Sequence, residues 1–91
     1  MRIAVCPGSF DPVTRGHLDI FERAAKMFDQ VIVAVFHNPG KRPAFSMEER
    51  VQMLQDATKH IPNIQVDCFS GLLNEYVRAR NTNIIVRGLR A

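Results

Sequence analysis

The residues best suited to chemistry stand near the start of the chain, in Pro7-Gly8-Ser9-Phe10-Asp11-Pro12-Val13-Thr14-Arg15-Gly16-His17. A short apolar run, Ile3 to Cys6, leads into this stretch, and a segment of helical periodicity leaves it. The spacing predicts a strand-to-helix turn with an imidazole where the helix opens. Amide N–H groups at a helix start lack intrahelical partners, and the helix dipole puts partial positive charge there. Such a turn takes an anion readily, and an imidazole can donate to a phosphate oxygen and balance charge developing on it. Gly8 and Gly16 are eight positions apart and no lysine follows the second. Neither G-x-G-x-x-G nor G-x-x-x-x-G-K-[ST] fits that spacing. An ordinary turn with a surface histidine accounts for the composition equally well.

The elements that must position these groups alternate between short apolar runs and amphipathic stretches, the rhythm of βαβ units. Strands are expected at Ile3 to Cys6, Val31 to Phe36, Ile64 to Phe69 and Asn83 to Val86. Val31 to Phe36 is apolar throughout, as in a parallel strand covered on both faces. A first helix is expected from Gly16 to Met27, with Leu18, Phe21, Ala24, Ala25 and Phe28 inward. A second begins at the capping box Ser46-x-x-Glu49 and ends before Pro62-Asn63. Its inner face is Met47, Val51, Leu54 and Ala57, with Glu48, Gln52, Gln55 and Lys59 outward. Ser70 is the expected cap of a third helix, Leu72 to Arg80, burying Leu73, Tyr76 and Val77. His37 to Pro43 reads as a loop, and His37 and His60 as surface residues.

The expected fold class is α/β, a Rossmann-like open parallel sheet with helices on both faces, reaching its fourth strand where the sequence ends. Ligands in such sheets lie at the carboxyl ends of the strands. Ser9 and His17 follow the first strand, Lys41 the second, Gly71 to Leu73 the third, and Arg87 to Arg90 the fourth. Four segments with phosphate-friendly groups therefore meet at one edge.

Ninety-one residues make one domain at most, 1–91. The net charge of +3 suits a phosphorylated partner, while no basic cluster with interleaved aromatics points to nucleic acid. No apolar stretch nears the roughly 20 residues that span a bilayer, and the run after Arg2 is too short for a signal peptide. Cys6 and Cys68 lack metal-ligand spacing, so two reduced thiols in a cytoplasmic protein are expected.

Gly8-Ser9-Phe10-Asp11-Pro12 with Thr14-Arg15-Gly16-His17 resembles the signature of the nucleotidyltransferase superfamily, Thr14 standing where most members carry the first histidine of H-x-G-H. This T-x-G-H form is similar to that of the phosphopantetheine adenylyltransferase family. So are Phe45-Ser46-Met47-Glu48-Glu49-Arg50 and Arg87-Gly88-Leu89-Arg90-Ala91, and the likeness runs in order from Met1 to Ala91. The resemblance implies transfer of an adenylyl group from ATP to 4′-phosphopantetheine, in coenzyme A biosynthesis. It implies His17 as the catalytic residue, stabilising the transition state at the triphosphate. Ser9, Lys41, Leu73 and Arg87 would bind the acceptor, with Lys41 and Arg87 on its phosphate and Leu73 on the pantetheine arm. Ser9, Phe10, His17, Gly88, Leu89 and Arg90 would border ATP. A turn serine, a solvated loop lysine and a core leucine are the plainer readings of Ser9, Lys41 and Leu73.

The resemblance also implies Mg2+ arriving with ATP and a homo-hexamer, with no nucleic-acid or membrane partner. Family members run past this point, into an acidic ATP contact, a serine-rich phosphate loop and further helices. The 91 residues alone are therefore expected to be incomplete and inactive or nearly so. The alternatives are another branch of the superfamily, cytidylyl- or nicotinamide mononucleotide-specific, or a nucleotide-binding piece without turnover.

Overall fold

Val31, Ile32, Val33, Ala34 and Val35 are each at most 1% exposed in the computed structural model, which describes residues 1–40, 42–82 and 84–87. They form the centre of β2 (Gln30–Phe36), which pairs in parallel with β1 (Ile3–Gly8) on one side and β3 (Ile64–Phe69) on the other. β4 (Ile84–Ile85) joins the far side of β1, giving the order β3-β2-β1-β4. Alternate β2 residues serve opposite faces. Val31, Val33 and Val35, with Cys6, meet Phe21 and Ala24 of α1 (Arg15–Met27) and Leu54 of α2 (Met47–Thr58). Ile32 and Ala34, with Val5, meet Val77 of α3 (Leu73–Ala79). The expected open parallel sheet with helices on both faces is what the chain adopts.

Several boundaries differ from expectation, most of them for a local reason. β1 runs on through Pro7 and Gly8, which pair with Ala34 and Val35. β4 pairs only with Ala4 and Val5, so among the described residues Pro7 has a strand on one side, where a residue without N–H is tolerated. α1 begins at Arg15, because Thr14 caps it. Ser70 does not cap α3: Gly71 turns left-handed at φ 88°, and Leu72 occupies the cap with no side-chain hydrogen bond. α2 ends at Thr58, and the Asn63 side chain instead caps α1 by donating to the carbonyls of Ala25 (2.8 Å) and Phe28 (3.2 Å). Asn83, expected to open the fourth strand, lies outside the described residues.

Chain order runs from β1 outward to β3 on one side, then returns to β4 on the other. The reversal falls between β1 and β4. In an open α/β sheet this is where the connections part and a crevice opens at the carboxyl ends.

Candidate active site

The crevice is entered from β1 through Gly8-Ser9-Phe10. Phe10 takes φ 46°, sparsely populated for a residue with a side chain, and its ring is buried at 5% exposure. Left-handed residues of this kind persist where surrounding structure holds them, often at functional turns. Here the ring lies over Gly8, where an added Cβ would come within 2.9 Å of its tip. Glycine is therefore required for the ring to fold back.

Beyond the turn, Thr14 and His17 form a reciprocal capping box. Thr14 Oγ1 accepts from the His17 backbone N–H at 3.4 Å, and His17 Nδ1 accepts from the Thr14 backbone N–H at 3.0 Å. Histidine thus takes the place that glutamate or glutamine usually fills at the third helical position. A ring nitrogen that accepts carries no proton, so the proton of this neutral imidazole belongs to Nε2. The Phe10 ring meets the imidazole edge-on at 5.0 Å, and Phe21 lies nearly parallel to it at 6.4 Å. Two aromatic contacts and the cap fix the plane of the half-buried ring.

The turn is also fastened to α2. Asp11 Oδ2 accepts from Ala44 N–H (2.7 Å) and Oδ1 from Phe45 N–H (2.8 Å), just before the Ser46 cap. In return, Arg50 Nη1 donates to the Ser9 carbonyl at 3.0 Å and Nε to the Ser46 carbonyl at 3.4 Å. Arg50 is 3% exposed. Sequence reading missed both links, although position 50 shares the inner stripe of Met47, Val51 and Leu54, where a charged residue is anomalous. Ser46 and Glu49 form the expected capping box, the Glu49 backbone N–H donating to Ser46 Oγ at 3.1 Å. Hydrogen bonds from the Ser46 backbone N–H first and its side chain second hold the Glu49 carboxyl below its ordinary range.

Two cavities adjoin the end of β1. One, about 710 Å³, is lined by Ser9, His37, Arg42, Arg50, Leu73 and Arg87 among others. The second, about 630 Å³, is lined by Phe10, Gly16, His17 and Arg87 among others. Pro7, Gly8 and Arg87 border both. The end of β1 therefore stands between two spaces, with Arg87 bordering each.

Of the residues expected at the site, Ser9, Leu73 and Arg87 line the first cavity, while Phe10, His17 and Arg87 line the second. Lys41, Gly88, Leu89 and Arg90 lie outside the described residues. Arg87 is exposed, so its place at the end of a strand does not keep water from it. Two histidines read as plain surface residues have more specific settings. His37 walls the first cavity, and His60 Nε2 lies 3.3 Å from Glu22 Oε1. Phe36, Phe69 and Leu72 add an apolar wall beside Leu73, and Phe69 stacks on Tyr76 at 4.6 Å. Tyr76 donates to Asp67 at 2.8 Å, and burial with that bond raises its phenol above the ordinary range.

Residues 5–91 match the family described as cytidylyltransferase-like. The chain is 58% identical over 91 residues to the phosphopantetheine adenylyltransferase of Carboxydothermus hydrogenoformans, covering all of this chain and 56% of that protein. It is 61% identical over 87 residues to the protein of that name from Symbiobacterium thermophilum, covering 96% of this chain and 54% of the other. The chain thus spans about half the length of the curated relatives it matches. Among solved structures, a lipopolysaccharide core biosynthesis protein from Thermoplasma volcanium superposes with a TM-score of 0.71 at 22% identity. That superposition covers 93% of this chain and 72% of the other, and likeness at such identity speaks to the fold alone.

Proposed function

Because the chain belongs to the cytidylyltransferase-like family, we propose that the protein transfers an adenylyl group, reversibly, from ATP to 4′-phosphopantetheine. The observation that carries this reading is the pair of adjoining cavities divided by Pro7-Gly8 and shared by Arg87. One holds His17 and the start of α1; the other holds Ser9 and an apolar wall suited to a pantetheine arm. The relatives named phosphopantetheine adenylyltransferase support the same choice of acceptor.

In this reaction a phosphate oxygen of the acceptor attacks the α-phosphorus of ATP. The bond from that phosphorus to the oxygen bridging to the β-phosphate breaks, and pyrophosphate leaves with its electron pair. Dephospho-coenzyme A is the other product. No protein nucleophile is needed, so the site's work is to hold two anions in line and neutralise the charge that gathers on the leaving oxygens. His17, with its proton on Nε2, donates to the triphosphate from the helix start, where the dipole also favours negative charge. Arg87, bordering both spaces, lowers repulsion between the two phosphorylated molecules. Lys41 would join it on the acceptor phosphate, and Gly88, Leu89 and Arg90 would border ATP. Magnesium would arrive on the triphosphate as part of the substrate. Among the described residues no group of three or more His, Cys, Asp or Glu could hold such an ion. A cytoplasmic homo-hexamer without nucleic-acid or membrane partners belongs to the same proposal. No described helix is long and apolar enough to cross a membrane.

A pyrophosphate-release assay on the purified protein with ATP and 4′-phosphopantetheine tests the reading, beside calorimetry with each. Release with that pair supports it. Binding of both without release makes the chain a binding unit, and release only with CTP or with nicotinamide mononucleotide places it in another branch. Sedimentation velocity checks the hexamer.

A further inference from the structure

The most anomalous side chain in the fold is Arg50, a guanidinium 3% exposed on the inner face of α2. A buried charge is ordinarily paired, since taking it out of water uncompensated is strongly unfavourable. Among the described residues no carboxylate pairs with Arg50. Its hydrogen bonds are to two neutral carbonyl oxygens, those of Ser9 and Ser46, through Nη1 and Nε. The same residue lines the 710 Å³ cavity together with Ser9 and Arg87. Asp11, the acidic group beside the turn, has both oxygens engaged by the N–H groups of Ala44 and Phe45.

We propose that Arg50 is a positioning residue for the acceptor phosphate: it holds the Ser9 carbonyl in place, and its charge is balanced by that phosphate when the cavity fills. The inference rests on the adenylyl-transfer reading above. A purely structural arginine would find its counter-charge within the fold. This one sits beside the hydroxyl-bearing turn, facing a space that Arg42 and Arg87 also line, where a phosphate monoester supplies the negative charge that no described carboxylate gives it. Two carbonyl acceptors fix the plane of the guanidinium, so little ordering remains when the ligand arrives.

The test compares 4′-phosphopantetheine with unphosphorylated pantetheine by calorimetry, in the wild-type protein and in Arg50→Met. The natural protein binds the phosphorylated compound more tightly, and Arg50→Met loses roughly 10–100-fold of that preference, as expected for one or two hydrogen bonds to a charged group. Its melting temperature without ligand stays level or rises, because an apolar isostere removes an unpaired buried charge. Should Arg50→Met fail to fold, Arg50→Lys keeps the charge but cannot reach two carbonyls in a plane, and its preference falls at least about tenfold. A folded variant that keeps the natural preference overturns the role of Arg50 while leaving adenylyl transfer standing. A natural protein indifferent to the phosphate overturns both.

Discussion

The backbone N–H of Thr14 donates to Nδ1 of His17 at 3.0 Å, so the residue that caps α1 also decides which imidazole nitrogen carries the proton. The Thr14 hydroxyl lies 3.2 Å from the same nitrogen. Helix initiation and the chemistry of the site thus meet in one four-residue box. In Thr14→Val the hydroxyl is lost, the cap weakens by about 1 kcal/mol, and turnover falls roughly 2–10-fold. Nitrogen-15 spectra of the ring still show the single tautomer protonated at Nε2, because the backbone N–H of residue 14 remains to donate to Nδ1. A mixture of tautomers would show that the hydroxyl, and not the backbone N–H, fixes the ring.

His17→Ala removes the donor itself. In a complete enzyme of the proposed kind, loss of one preorganised donor lowers turnover by roughly 10²–10³-fold. The lost half of the capping box adds a stability cost on the order of 1 kcal/mol. Steady-state rates beside thermal melts distinguish these effects. A large melting shift with unaltered rates would leave His17 as a cap alone.

Gly8→Ala sets a methyl group 2.9 Å from the tip of the Phe10 ring. That ring is wedged between His17 and Phe21 and has little room to yield. Overpacking of this kind costs about 1–3 kcal/mol, and the displaced ring tilts the imidazole with it. Denaturant melts and turnover are expected to fall together. Phe10→Leu in the same background, by vacating the clash, should restore stability ahead of activity.

The amphipathic stripes were legible because periodicity reports which side of an element is covered. Leu54, Phe21 and Val77 fall where spacing put them, and β2 is buried from Val31 to Val35. The edge where the site gathers followed from strand order alone. What spacing could not show are bonds between distant positions. Arg50 to Ser9 spans 41 residues and Asp11 to Phe45 spans 34, and neither pairing leaves a periodic trace. Ser70 misled for a different reason: its hydroxyl suits a cap, but Gly71 turns the backbone away before α3 begins. Thr14-x-x-His17 was a capping box in plain view, concealed because histidine rarely fills its acidic position.

The two thiols differ sharply. Burial pushes Cys6 up from about 9 to about 12, while Cys68 is exposed. Iodoacetamide at pH 8 should therefore modify one cysteine in the native protein and two after denaturation, read by mass spectrometry. The folded state holds the Cys6 proton after the unfolded chain has released it. Stability accordingly declines as pH rises from about 9 to about 12, by about 1.4 kcal/mol per pH unit at most. Tyr76, also raised, adds to the decline in the same direction. Melting temperatures that hold steady across that window would contradict the burial of Cys6.

Asp11→Asn leaves one amide oxygen where two carboxylate oxygens now receive Ala44 and Phe45. A loss of about 1.5–3 kcal/mol is expected, since hydrogen bonds to a charged group are being replaced. Hydrogen exchange at residues 44 and 45 should quicken more than in α1. Equal quickening in both would show that the damage is global.

The same carboxylate has a consequence for how such a protein can diversify. Downstream of β2, the chain is moored first where His37 N–H meets the Phe69 carbonyl at 2.8 Å and again at Asp11. Whatever lies between those moorings can be exchanged as a cassette, altering which molecule one chamber admits while the imidazole's chamber stays untouched. The lining of one chamber is thereby free to change without disturbing the other.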